Sequence, residues 1–137
     1  GQYGRKWISY KGNLFASFFY PFDQNKFSIE KMTKLNCNLV KKLLSKYVKN
    51  EITFKKPNDL FINKEKISGI LQEIITKSDK KFLITGIGIN VIKNPNIKNY
   101  PATNLHTITG KKINKSELEN NLKLVFENRI SKMYKMN

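Results

Sequence analysis

The chain has 137 residues, the length of one domain, and 39% of them are hydrophobic, enough for a moderate core. No stretch approaches the roughly 18 to 20 apolar residues of a membrane helix, no charged and apolar leader opens the chain, and the single cysteine, Cys37, has no partner for an internal disulfide, which together point to a cytoplasmic protein. The net charge of +16, from 26 Lys and Arg against 10 Asp and Glu, attracts polyanions, but the lysines are scattered and no arginine stripe or helix-turn-helix pattern joins them, so the charge reads first as solubility and ligand steering and second as a nucleic-acid footprint.

Gly1 to Lys6 is a short basic loop bracketed by glycines, and Trp7 to Ser9 reads as the start of a strand. Lys11-Gly12-Asn13 is a turn. Leu14 to Tyr20 (LFASFFY) is a continuous apolar run closed by Pro21, and its length and aromatic content predict a buried strand. After a loop over Phe22 to Phe27, Ser28 suits a helix N-cap with Glu30 in the first turn. Met32, Leu35, Leu39, Val40, Leu43, Leu44 and Tyr47 then recur at spacings of three and four, which predicts an amphipathic helix whose apolar stripe is core. Cys37 falls inside this pattern and reads as a small, partly buried residue rather than a nucleophile.

Ile52 to Phe54 is a strand running toward Pro57-Asn58-Asp59, where the proline fixes φ and removes a donor, so the strand must end or bend. Leu60-Phe61-Ile62 is a second short strand and Asn63-Lys64-Glu65 a turn. Lys66 opens a third strand, KISGILQEI, with Gly69 inside it. A glycine weakens a strand interior unless another group approaches its backbone closely. A polar corner, a lysine at a strand start and a bare backbone position nearby suit a phosphate-bearing ligand. An ordinary turn, a hairpin lysine and a bulge would look the same, and spacing alone leaves both readings open.

Lys77 to Lys80 is a polar turn, and Lys81 to Asn90 a strand ending in Gly86-Ile87-Gly88-Ile89-Asn90. Asn94 to Asn104 is a loop with two prolines. His106 follows it, a lone histidine that reads as structural or exposed. Asn114 with Glu117 resembles a capping box, and Leu118, Leu122, Val125, Ile130 and Met133 mark a second amphipathic helix. The predicted class is α+β, one domain over residues 1–137, with a mostly antiparallel mixed sheet and helices packed on one face.

Several chemistries are excluded. The Gly86–Gly88 pair lacks the third glycine and immediate helix of a dinucleotide site. No Walker lysine follows a glycine run, no Cys/His cluster has metal spacing, and no Gly-x-Ser-x-Gly elbow is present.

The segments Pro57-Asn58-Asp59, Lys66-x-x-Gly69-Ile70-Leu71 with Glu73 two residues on, and Gly86-Ile87-Gly88-Ile89-Asn90 occur in an order and spacing that resembles the catalytic domain of biotin protein ligases. The N-terminal GQYGRKW followed by Ser9, Gly12, Asn13, Leu14 and Ser17 is similar to the same family, as is Tyr100-Pro101-Ala102-Thr103-Asn104-Leu105. The resemblance runs from Gly1 to about Phe126. Its departures are Gln2 where many members have arginine, Lys56 where most have tryptophan, and the absence of the family's Ser-Thr-Asn segment, of most of its Gly-Arg-Gly, and of a small C-terminal domain. The expectation is therefore an N-terminally truncated catalytic domain.

The resemblance implies the class II synthetase-like biotin/lipoate ligase fold and an ATP-dependent biotin protein ligase. Biotin and ATP would form biotinyl-AMP and pyrophosphate, and a lysine of a biotin carboxyl carrier protein domain would then attack the mixed anhydride. The implied catalytic residues are Lys66, as the cation on the reacting phosphate and carboxylate, and Asp59, beside the incoming lysine. The implied biotin- and ATP-binding residues are Gly1, Gln2, Trp7, Asn58, Lys66, Gly69 and Asn90, with the Gly1 to Trp7 loop folding over the adenylate and Trp7 offering a face to adenine or, equally, filling core. Mg²⁺ is expected with ATP, though no carboxylate pair identifies its ligands. Biotin, ATP and the carrier domain are the implied partners, a second copy of the chain a further candidate, and a membrane is not expected. The alternatives are a lipoate-attaching enzyme of the same fold and a basic nucleic-acid-binding module without enzymatic activity.

Overall fold

The computed structural model describes residues 11–55 and 57–135. Gly1, Gln2, Trp7, the loop and strand start expected around them, and Lys56 lie outside the described residues. Five strands, β1 (Leu14–Pro21), β2 (Ile52–Lys55), β3 (Asp59–Ile62), β4 (Glu65–Lys77) and β5 (Lys80–Ile89), form one sheet. Its order is β1-β5-β4-β3-β2, and each neighbouring pair is antiparallel.

Strands β2 to β5 are a meander, because each connection is too short for anything but a hairpin. Pro57 separates β2 from β3, and Lys55 pairs with Asp59 across that corner. Asn63-Lys64 and Ser78-Asp79 make the other two turns with both residues at positive φ, 52° and 64° in each case. This is the left-handed pair that matches strand twist, and Asn and Asp tolerate it best after glycine.

Three helices complete the chain: α1 (Ile29–Leu44), α2 (Leu105–Thr109) and α3 (Lys115–Lys135). Ser28 caps α1, its Oγ accepting from the Lys31 N–H at 3.1 Å. Tyr47 lies beyond the end of α1, and its hydroxyl accepts from Asn121 Nδ2 at 3.0 Å. Asn114 caps α3, its Oδ1 accepting from the Glu117 N–H at 3.0 Å. Helix α2 was not signalled by periodicity, since five residues are too few to show one. Asn104 caps it by accepting from the Thr107 N–H at 2.8 Å, and Gly110 ends it in the left-handed region at φ 67°.

Helices α1 and α3 pack against each other and on one side of the sheet, against β3 and β4 and against β1 respectively. The core lies between them. Leu14, Val40, Leu44, Leu60, Ile67 and Leu122 belong to it, each worth about 1.5–3 kcal/mol on burial, and Phe18 stacks on Phe126 with centroids 4.6 Å apart. A second apolar cluster holds Tyr20, Phe22, Met32 and Leu83. Alongside these clusters lies a buried polar network. Asn36 Nδ2 donates to Gln72 Oε1 at 2.5 Å and to the Tyr20 hydroxyl at 3.3 Å, and Gln72 Nε2 donates to Thr33 Oγ1 at 2.6 Å. The Tyr20 hydroxyl also lies 3.0 Å from Thr85 Oγ1. It ties α1 to the middle of the sheet.

The predicted α+β class, the antiparallel sheet and the helices on one face are all present. Among the described residues no helix is long and apolar enough to cross a membrane.

Candidate functional site

Strand alternation sends Leu14, Ala16 and Phe18 toward the helices and Phe15, Ser17 and Phe19 to the opposite, open face, where Phe15 is 47% and Phe19 57% exposed. Register carries the open face across the sheet. Phe15 stands opposite Gly88, Gly88 opposite Gly69, and Gly69 opposite Asp59. Between the aromatic side chain on β1 and the carboxylate on β3 lie three strand spacings, about 14 Å. In this row β5 and β4 contribute no side chain over that distance. The two glycines that weaken the strands locally thus align into a strip without side chains, and both are buried.

Lys66 joins this face by an irregularity. Leu60 pairs with Ser68 but Phe61 pairs with Lys66, so Ile67 is one residue too many in β4. In unbroken alternation, with Ile67 paired like its neighbours, Lys66 would share the helix face with Ser68 and Ile70. The bulge turns it to the face of Phe61 and Asp59, and its Nζ lies 3.1 Å from Asp59 Oδ1. Lys66 is also gripped by its backbone. Its N–H donates to the Pro101 carbonyl and its carbonyl accepts from the Thr103 N–H, both at 2.9 Å, in a parallel bridge with Ala102. Residues 101–103 therefore form an isolated bridge that holds the lysine at the start of β4.

Asn90 sits next to it, 1% exposed. Its N–H donates to the Ile67 carbonyl at 2.9 Å, its carbonyl accepts from the Leu105 N–H at 3.0 Å, and its Nδ2 reaches the Lys66 carbonyl at 3.4 Å. Its Oδ1 is buried and has no partner among the described residues. An unsatisfied buried acceptor costs about 1–3 kcal/mol, and no described residue supplies the missing donor. Asn58 is differently engaged. Its Nδ2 donates to the Ile70 carbonyl and its own carbonyl accepts from the Ile70 N–H at 3.0 Å, which bolts the proline corner to β4 and sets Asp59 beside Lys66.

Of the residues singled out from sequence, the structure brings together Asp59, Lys66 and Gly69, with Asn58 and Asn90 buttressing them. Cys37 lies in the core at 1% exposure. Burial, with a smaller contribution from the Asp59 charge, pushes its thiol up to about 12, so it is protonated and not a nucleophile. His106 accepts from the Ile113 N–H through Nε2 at 3.0 Å, a structural bond between α2 and the loop leading to α3. Among the described residues no group of three or more His, Cys, Asp or Glu could hold a metal ion, and the Asp59 carboxylate already faces Lys66. These residues do not by themselves make a Mg²⁺ site.

One residue carried more weight than its sequence suggested. Asn13 follows Gly12 in the turn before β1, and its side chain binds the backbone of residues 91–93. The signal available was the Gly-Asn-Leu pattern, which shows a turn but not what the turn docks on.

A family profile described as the biotin/lipoate A/B protein ligase family matches residues 1–90. The chain belongs to this family. It is 31% identical to the bifunctional ligase/repressor BirA of Bacillus subtilis, with 94% of this chain and 42% of that protein covered. It is 31% identical to BirA of Escherichia coli over 66% of this chain and 29% of that protein. Among solved structures, the biotin protein ligase of Aquifex aeolicus in complex with biotin and ATP superposes with a TM-score of 0.77 at 29% identity, covering 98% of this chain and 56% of that one. The biotin protein ligase of Leishmania major in complex with biotinyl-5-AMP superposes with a TM-score of 0.73 at 25% identity, covering 96% and 60%. The chain thus has the biotin protein ligase fold and spans less than half the length of the curated relatives it matches.

Proposed function

We propose that this chain carries the catalytic site of an ATP-dependent biotin protein ligase, which forms biotinyl-AMP and transfers biotin to a lysine of a carrier domain. The observation that carries the reading is Lys66. Its charge is held beside Asp59, at one end of the glycine row, by a bulge, an ion pair and two backbone hydrogen bonds.

Adenylation needs such a group. A biotin carboxylate oxygen attacks the α-phosphorus of ATP, and the bond to pyrophosphate breaks. Negative charge crowds around the phosphorus as this happens. A cation fixed beforehand stabilises that charge without having to reorganise, and an ammonium with three donors can bond a phosphate oxygen and the carboxylate together. Gly69 and Gly88 let the ligand lie against the sheet. Asn90 Oδ1 is an acceptor suited to a nucleotide amine, and Asn58 sets the corner. In the second step the carrier amine attacks the acyl carbon and AMP leaves. The amine must arrive deprotonated, and Asp59 is the carboxylate beside the reacting atoms that would take its proton.

Biotin-dependent exchange of labelled pyrophosphate into ATP, followed by label transfer to a carrier domain, tests this in the full-length protein. Exchange driven by lipoate and not by biotin would move the assignment to the lipoate branch of the family. Nucleic-acid binding that falls steeply with salt, with no exchange, would favour the basic binding module. No exchange with either acid overturns the ligase reading.

A further inference from the structure

Asn13 takes no part in the chemistry above, yet it is 3% exposed and densely bonded. Its Oδ1 accepts from three successive N–H groups, those of Val91 at 2.9 Å, Ile92 at 2.9 Å and Lys93 at 3.2 Å. Its Nδ2 donates to the Lys93 carbonyl at 2.8 Å. Three consecutive amides aimed at one point form the kind of concavity that binds anions. This one is filled by a side chain from the start of β1. Gly12 permits the approach. It has φ 91°, and a Cβ there would sit 2.2 Å from Ile92 Cδ1.

The clamped turn is the direct continuation of Asn90. The same stretch anchors α2, since Leu105 N–H donates to the Asn90 carbonyl and His106 N–H to the Val91 carbonyl. Asn90 in turn reaches the Lys66 carbonyl. A path of hydrogen bonds and backbone therefore leads from Asn13 through residues 91–93 to Asn90, whose Oδ1 has no partner among the described residues, and to Lys66.

We propose that Asn13 is a positioning residue for the nucleotide: by fixing the amides of residues 91–93 it holds Asn90 where its Oδ1 can receive a ligand N–H. This rests on the ligase reading for its kinetic test, but not for its binding test. Asn13→Ala removes the acceptor, and the turn can then relax with its amides turned to water. Asn13→Asp keeps the acceptor, exchanges the donor to Lys93 for a second oxygen, and adds a charge that three converging amides can hold.

The experiment compares wild type, Asn13→Ala, Asn13→Asp and the remote control Asn36→Ala in the full-length protein. Steady-state pyrophosphate exchange and calorimetric titration with ATP are measured beside thermal melts. Asn13→Ala should raise the KM and Kd for ATP about 10- to 100-fold, the range expected when a bonded group loses its support, while the KM for biotin changes less than about threefold. Asn13→Asp should recover most of the loss. Asn36→Ala should lower the melting temperature without moving the ATP constants. ATP constants within twofold of wild type in Asn13→Ala, or an equal rise in the biotin KM, overturn the proposal. Wild type that binds ATP but shows no biotin-dependent exchange would sink the ligase reading alone, and the calorimetric comparison still decides the role of Asn13. Wild type that binds no ATP overturns both.

Discussion

Lys66 and Asp59 meet at 3.1 Å because Ile67 is an extra residue in β4. Regular pairing of β4 with β3 would have buried the lysine under the helices with Ser68 and Ile70. The bulge moves one residue across the sheet while leaving Ser68, Ile70 and Gln72 on the helix side, where all three are buried. A charged group is thereby supplied to the open face at no loss to the core.

Replacement of Lys66 by alanine should slow adenylate formation about 30- to 1000-fold while the fold survives. The side chains of Lys66 and Asp59 are 35% and 24% exposed, so the pair adds at most about 1 kcal/mol to stability. Loss of one preorganised charge donor should cost about 2–4 kcal/mol in the transition state. Pyrophosphate exchange measured beside a thermal melt checks this. Unchanged exchange would remove Lys66 from the reaction.

Gly69→Val should damage ligand binding more than stability. The residue is directly opposite Gly88 and Asp59, and a branched side chain would stand in the strip without side chains between Phe15 and Asp59. Valine is otherwise at home in a strand. Calorimetry with biotin and with ATP, beside melting curves, reads both effects. Full binding at a much lower melting temperature would make Gly69 a packing glycine only.

Asn36→Ala should destabilise the protein by about 1–3 kcal/mol, since it leaves Gln72 Oε1 and its neighbours in the buried network short of a donor. Denaturant melts check the size of the loss. A change under about 0.5 kcal/mol would show that water replaces the amide, as happens only where the site is open.

Stability should fall on the alkaline side. Burial pushes Cys37 from its ordinary 9.0 up to about 12 and raises Tyr20 in the same direction. Between pH 9 and 12 the unfolded chain sheds the thiol proton while the folded chain keeps it. The unfolded state then binds fewer protons, so unfolding becomes easier as pH rises. The stabilisation is complete below pH 9 and is lost by about pH 12. Urea melts of wild type and Cys37→Ala across this range check it: the wild type should lose stability more steeply. Parallel curves would mean that Cys37 does not carry the effect.

Local patterns alone determined much of this protein. The spacing of Met32, Val40 and Leu44 dictates α1, Ser28 starts it, Pro57 breaks β2 from β3, and the ordered segments around Asn58, Gly69 and Asn90 point to the family. Each of these depends on neighbours a few residues apart. The same is not true of Lys66. A bulge is visible only against the strand it pairs with, and no local signal tells that Ile67 will be the residue left over. Helix α2 is too short for a period and depends on a cap at Asn104 and on carbonyls lent by Asn90 and Val91. Asn13 grips amides 78 to 80 positions away. Such contacts belong to register and docking, which arise only when distant segments compete for the same hydrogen bonds, and tertiary structure decided them.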